Sequence, residues 1–227
     1  MVSRIVLTDI EGTTSAIDFV HRVLFPYARA ALPDFVRAHA DQADVAAELE
    51  AVRAETSSGA SLDEVIATLI GWIDEDRKAT PLKALQGKIW AEGYRLGAFT
   101  AHLYIDSYDQ LRAWHRAGVP LYVYSSGSIE AQRLFFRYSV FGDLSSWFRG
   151  HFDTTSGGKR EAAAYERIAA AIGAPPADIL FLSDIEAELD AAKTAGLATA
   201  QICRPDTLPA CAGRHPVHSG FRTILPT

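Results

Sequence analysis

The sequence predicts an α/β fold, a doubly wound parallel Rossmann-like sheet with an inserted helical cap domain. Three observations predict it. Short apolar runs of strand composition occur at residues 2–7, 119–124, 179–182 and 199–203, with helix-period segments between the later ones. Residues 18–99 show helical patterning only. Several strand ends finish in Asp or Ser followed by small residues, where open α/β sheets gather ligands.

Residues 2–7 read as a strand buried on both faces, as in a parallel sheet. Asp9 falls at its carboxyl end. Asp9 and Glu11 stand two residues apart in an extended segment and therefore point the same way. Two such anions at one small site call for a cation or a proton. Gly12 permits close backbone approach, and the hydroxyls and amides of Thr13 and Thr14 are suited to an anion.

The insertion follows. Phe19, Val23, Leu24 and Tyr27 recur at helical spacing before an expected break at Leu32-Pro33, and Val45, Leu49 and Val52 mark a second helix. Ser61-Leu62-Asp63-Glu64 has the pattern of a capping box, followed by an apolar face of Val65, Leu69, Trp72 and Ile73. A further helix is expected from Pro81 to near Leu96. The division is thus 1–17 with 100–227 as the core and 18–99 as the insertion.

The later strands each end in chemistry. Tyr124-Ser125-Ser126-Gly127-Ser128 joins a strand to a helix start and supplies hydroxyl and amide donors for a phosphate. Gly157-Gly158-Lys159 opens a predicted helix over 159–172, where a lysine opposes the macrodipole unless it is paired with an anion. Ser183-Asp184 ends the strand 179–182, with Glu188 four residues on. Magnesium favours carboxylate oxygens and keeps several waters, so one or two such residues beside Asp9 and Glu11 suffice to bind it. Taken singly, these patterns also serve as plain N-caps or surface charges.

Bulk properties bound the function. The chain has 227 residues, 48% hydrophobic and 22% charged, with a net charge of −6, so no broad basic face for nucleic acid is expected. No apolar run nears the roughly 18 residues of a membrane span, and no signal-peptide pattern is seen. Cys203 and Cys211 make no disulfide framework, which leaves a reducing cytoplasm as the expected compartment. Together with His215 and His218 they match no standard zinc spacing, and Cys203 is expected to pack in a terminal strand.

The order of the motifs is distinctive: an Asp-x-Glu after the first strand, serines after a later one, a lysine, then an aspartate after another strand. This resembles the haloacid dehalogenase-like hydrolase superfamily. The resemblance implies that Asp9 is a nucleophile, that Ser125 binds the transferring phosphoryl group with Ser126 and Gly127 beside it, and that Lys159 neutralises charge between nucleophile and phosphate. It also implies that Asp184 helps hold Mg2+.

Most phosphatases of that superfamily carry Asp at the acid/base position, and Glu11 departs from this. Asp9-Ile10-Glu11-Gly12-Thr13-Thr14, Leu24-Phe25-Pro26-Tyr27, Leu85-Gln86-Gly87, Tyr124-Ser125-Ser126-Gly127-Ser128 and Gly150-His151-Phe152-Asp153-Thr154 together resemble the enolase-phosphatase family of methionine salvage. That family implies a phosphorylated small-molecule substrate, 2,3-diketo-5-methylthiopentyl-1-phosphate, which is enolised and then dephosphorylated to the acireductone. It further implies one Mg2+ per subunit, held by Asp9, Glu11 and Asp184, and a monomer. Glu11 is the expected acid/base. The insertion is expected to cap the site, with the helix 83–94 as the candidate contact to the methylthio end. The enolisation base is left open between Glu11 and a group from the insertion.

Overall fold

A computed structural model describes residues 5–204 and 213–224. The first strand, β1 (Ile5–Thr8), is followed by the short helix α1 (Ile17–Phe19) and a π-helical turn, Val20–Leu24. Four longer helices come next: α2 (Phe25–His39), α3 (Ala43–Glu55), α4 (Leu62–Asp74) and α5 (Thr80–Arg95). The remainder alternates as α6 (Ile105–Arg116), β2 (Leu121–Tyr124), α7 (Ile129–Arg137), β3 (Phe148–Phe152), α8 (Ala162–Ile172), β4 (Ile179–Ser183), α9 (Glu186–Thr194), β5 (Ala198–Ile202) and β6 (Val217–His218).

The chain divides into two compact units, residues 1–17 with 100–227, and residues 18–99. In the first, the six strands form one sheet in the order β3-β2-β1-β4-β5-β6, every neighbouring pair parallel. β1 is central, with Val6 opposite Leu121 on one side and Leu7 opposite Phe181 on the other. A strand flanked this way buries both faces, and Val6, Leu7, Val123, Phe181 and Leu182 are fully buried. Helices α8 and α9 cover one face through Tyr165, Ile168 and Leu189.

The helical unit has its own core, in which Leu32, Val36, Leu49, Val52, Val65, Leu69 and Leu85 meet. The predicted capping box is present: Glu64 N–H donates to Ser61 Oγ (3.3 Å) and Ser61 N–H to Glu64 Oε2 (2.7 Å). The expected break at Pro33 is not there, because α2 runs through it. Proline removes one hydrogen bond, but Ala28, Leu32 and Val36 line a single buried stripe, and its packing holds the helix together. Beside the π-helical turn, Trp90 Nε1–H donates to the Leu24 carbonyl at 2.8 Å.

Two expectations about the tail change. Cys203 is disulfide-bonded rather than merely packed, which removes one ground for expecting a reducing compartment, while Cys211 lies outside the described residues. His215 contacts Thr199 Oγ1 (2.8 Å) through Nδ1 and Asp190 (3.0 Å) through Nε2, a structural tie. No described helix is long and apolar enough to cross a membrane.

Candidate active site

Parallel pairing brings every carboxyl strand end to one rim, and the order reverses at β1, with β2 and β3 on one side and β4 to β6 on the other. Such a switch point opens a crevice for ligands. Asp9 follows β1, Ser125 follows β2 and Asp184 follows β4, so three predicted residues occupy adjacent strand ends.

Lys159 joins them from the connection between β3 and α8. It does not lie in a first helical turn, since α8 begins at Ala162 with Glu161 as N-cap. The macrodipole argument therefore does not apply. Tyr165 Oη donates to the Lys159 carbonyl (2.7 Å) and Tyr124 Oη to the Gly157 carbonyl (2.9 Å), which fixes this segment ahead of the helix. Lys159 Nζ lies 2.6 Å from Asp9 Oδ1 and 2.7 Å from Glu188 Oε2, with its side chain only 7% exposed. Burial alone would push the amine's pKa down, but Asp9 and Glu188 outweigh it and hold the amine above its usual range.

Glu188 is thus part of the site. Ser183 Oγ donates to Glu188 Oε2 at 2.9 Å, and burial, then the Asp9 charge, pushes this carboxyl up. Its position four residues after Asp184 was visible in the sequence, but its service to Lys159 depends on which face α9 turns inward.

Glu11 meets Ser125, whose Oγ donates to Glu11 Oε2 at 3.0 Å and accepts from Gly127 N–H at 3.1 Å. Burial, followed by the Asp9 charge, raises the Glu11 carboxyl above the ordinary range. Ser126 is exposed on the same turn. Gln132, which carries no motif signal, and Asp153 of the 150–154 motif fix that turn. Gln132 Nε2 donates to the carbonyls of Gly127 (2.8 Å) and Phe152 (2.8 Å), and Asp153 accepts from Ile129 N–H (3.3 Å) and Thr155 N–H (2.9 Å).

Asp184 is held from the first loop. Its N–H donates to Thr13 Oγ1 (3.0 Å), and that hydroxyl donates back to Asp184 Oδ1 (3.3 Å). Gly12 has φ +77, and a Cβ there would come within 2.2 Å of Asp184 Oδ2, so only glycine admits this approach. Thr14 Oγ1 donates to the carbonyls of Asp9 (3.3 Å) and Ile10 (3.2 Å). The threonines expected to face an anion are instead internal ties.

Among the described residues, no three His, Cys, Asp or Glu side chains form a group able to cage a metal. Of the predicted trio of Asp9, Glu11 and Asp184, Glu11 has one carboxylate oxygen engaged by Ser125. Asp9 and Asp184 remain. Burial, then Asp9, pushes the Asp184 carboxyl up to about 7, a repulsion that a cation between them would relieve. Two carboxylates with waters suit magnesium.

The profile of the haloacid dehalogenase-like hydrolases matches residues 4–196. The chain is 58% identical over 227 residues to enolase-phosphatase E1 of Azotobacter vinelandii, covering 100% of this chain and 99% of that protein. It is 60% identical over 204 residues to the protein of that name from Xylella fastidiosa, covering 90% and 88%. The crystal structure of UTR4 protein from Saccharomyces cerevisiae superposes with a TM-score of 0.84 at 34% identity, covering 98% of this chain and 100% of that one. The chain therefore belongs to the haloacid dehalogenase-like hydrolases and, within them, to the enolase-phosphatase E1 family.

Proposed function

We propose that this protein is a bifunctional enolase-phosphatase that converts 2,3-diketo-5-methylthiopentyl-1-phosphate to 1,2-dihydroxy-3-keto-5-methylthiopentene and phosphate in methionine salvage. The observation that carries the chemistry is the buried contact of 2.6 Å between Lys159 Nζ and Asp9 Oδ1, beside a Glu11 carboxyl raised by burial.

Asp9 attacks phosphorus, and the bond to the substrate oxygen breaks. Carboxylate and phosphate repel one another, and Lys159, charged and desolvated, offsets that repulsion without reorganisation. Glu188 keeps the amine on Asp9. Glu11, whose carboxyl burial raises and which holds the proton taken in the enolisation, donates it to the departing enol oxygen. It then takes a proton from the water that attacks the aspartyl-phosphate, which releases phosphate and restores Asp9. Ser125, with Ser126 and Gly127, binds the phosphoryl oxygens from a turn already held by Gln132. Asp9 and Asp184 would hold one Mg2+, which when bound supplies a Lewis acid for both carbonyl and phosphoryl oxygens. In the preceding enolisation Glu11 is the proposed base: ionised at that stage, it takes the proton from carbon and so carries the proton that it later gives to the departing enol oxygen.

The test follows enol absorbance and free phosphate together. The diketone phosphate is expected to give both signals, and an ordinary sugar phosphate neither at comparable rate. Phosphate release from the diketone without any enol signal would overturn the assignment. Asp9→Asn is expected to abolish phosphate release, and full retention would remove Asp9 as nucleophile.

A further inference from the structure

We infer that Arg204 is a positioning residue for the cation site: it fixes the carbonyl of Thr13, whose hydroxyl holds Asp184. This rests on the reading of Asp9 and Asp184 as the cation's carboxylates.

Arg204 follows β5 and is 5% exposed. Its Nη1 donates to both oxygens of Asp106 (2.8 Å each), and its Nη2 to Ser107 Oγ (2.6 Å). Nε and Nη2 both donate to the Thr13 carbonyl, at 3.2 and 2.7 Å. The guanidinium carbon lies 4.0 Å from the Tyr104 ring centroid and 5.6 Å from that of Phe221. Asp106 is fixed in turn, since it accepts from Phe221 N–H at 2.7 Å. A Cβ at Gly220 would lie 2.3 Å from Asp106 Oδ2, so the tail closes on this pair only with glycine there. A planar fork bonded through Nε, Nη1 and Nη2 and packed beside two rings has little freedom to turn.

Thr13 faces two ways. Its carbonyl is on Arg204, and its side chain binds both the N–H and the carboxylate of Asp184. The Asp184 carboxyl lies against Gly12 on its other side. A shift of Thr13 therefore moves Asp184, though Arg204 touches neither aspartate of the site. Asp106 neutralises the guanidinium, so the influence passes through geometry. Lysine at 204 keeps the charge but cannot reach Asp106, Ser107 and Thr13 together.

The experiment measures Mg2+ affinity of the substrate-free protein by calorimetry, and Tm alongside, for wild type, Arg204→Lys, Thr13→Val and the double variant. Each single change is expected to weaken Mg2+ binding about 10-fold. The double variant should be no weaker than the weaker single one, because both act on one link. An Arg204→Lys protein that binds Mg2+ as wild type while melting lower would overturn the inference, as would effects that multiply in full. If Arg204→Lys does not fold, Ser107→Ala carries the test: weaker Mg2+ binding that Thr13→Val masks supports the inference, and unchanged affinity overturns it. Wild type that takes up no Mg2+, or Asp184→Asn that binds it equally well, would instead overturn the site reading beneath.

Discussion

Two ion pairs of equal length stand in different surroundings. In the helical unit Arg29 meets Asp74 at 2.6 Å with both side chains half exposed. In the sheet unit Lys159 meets Asp9 at the same 2.6 Å, 7% and 4% exposed. Water screens the first, and such pairs contribute little. The second has lost its hydration, and desolvation of a buried pair commonly exceeds the Coulombic gain. A fold needing only stability would fill that place with apolar side chains. Buried charge at strand ends therefore marks where this molecule acts, whereas the exposed pairs Arg37–Asp63 and Arg77–Glu55 are consistent with solubility alone.

Lys159→Met breaks the buried pair and should have the largest effect. Phosphate release should fall about 10³-fold, as when an electrostatic stabiliser is lost. The stranded carboxylates should also lower stability at neutral pH by about 3 kcal/mol, read by urea denaturation. Gly12→Ala disturbs the cation's side without touching a charge. The strain at φ +77 and the clash with Asp184 are expected to reduce stability by about 2 kcal/mol and to weaken Mg2+ binding, measured by calorimetry.

His151 sharpens the comparison, because it is partly buried and its Nδ1 has no hydrogen-bond partner among the described residues. Burial, then the charge of Arg133, lowers its pKa from 6.5 to about 4. The folded state thus prefers the neutral ring. Its contribution is complete above pH 6.5 and is lost as pH falls towards 4. Discounted for partial exposure, wild type should lose about 1–2 kcal/mol relative to His151→Phe between pH 7 and pH 4.5 in urea unfolding. Arg29→Ala should have the smallest effect, leaving Tm and turnover unchanged within error.

The parallel sheet was legible because β1 and β4 are apolar, β-branched or aromatic runs ending in aspartate, a pattern set by local chemistry. Asp9, Glu11, Ser125 and Asp184 were legible for the same reason, as residues that immediately follow strands. Lys159 was found by its motif but misplaced onto a helix, since the hydroxyl of Tyr165 that holds its carbonyl belongs to the next element. Gln132 and Arg204 carry no local signature, and Glu188, visible four residues after Asp184, gives no sign of its tie to Lys159. Their roles arise from which helix face turns inward and from a chain that returns to Thr13 from 191 residues away. Pro33 misled for a related reason, because tertiary packing of one stripe outweighed a local preference.

Every strand of the sheet runs the same way, which separates the molecule's two rims by role. Substitutions near the amino ends of β1, β2 or β4 alter how long the enzyme lasts, whereas those at the opposite rim alter what it transforms. A lineage can therefore acquire durability at one edge while leaving its chemistry untouched at the other.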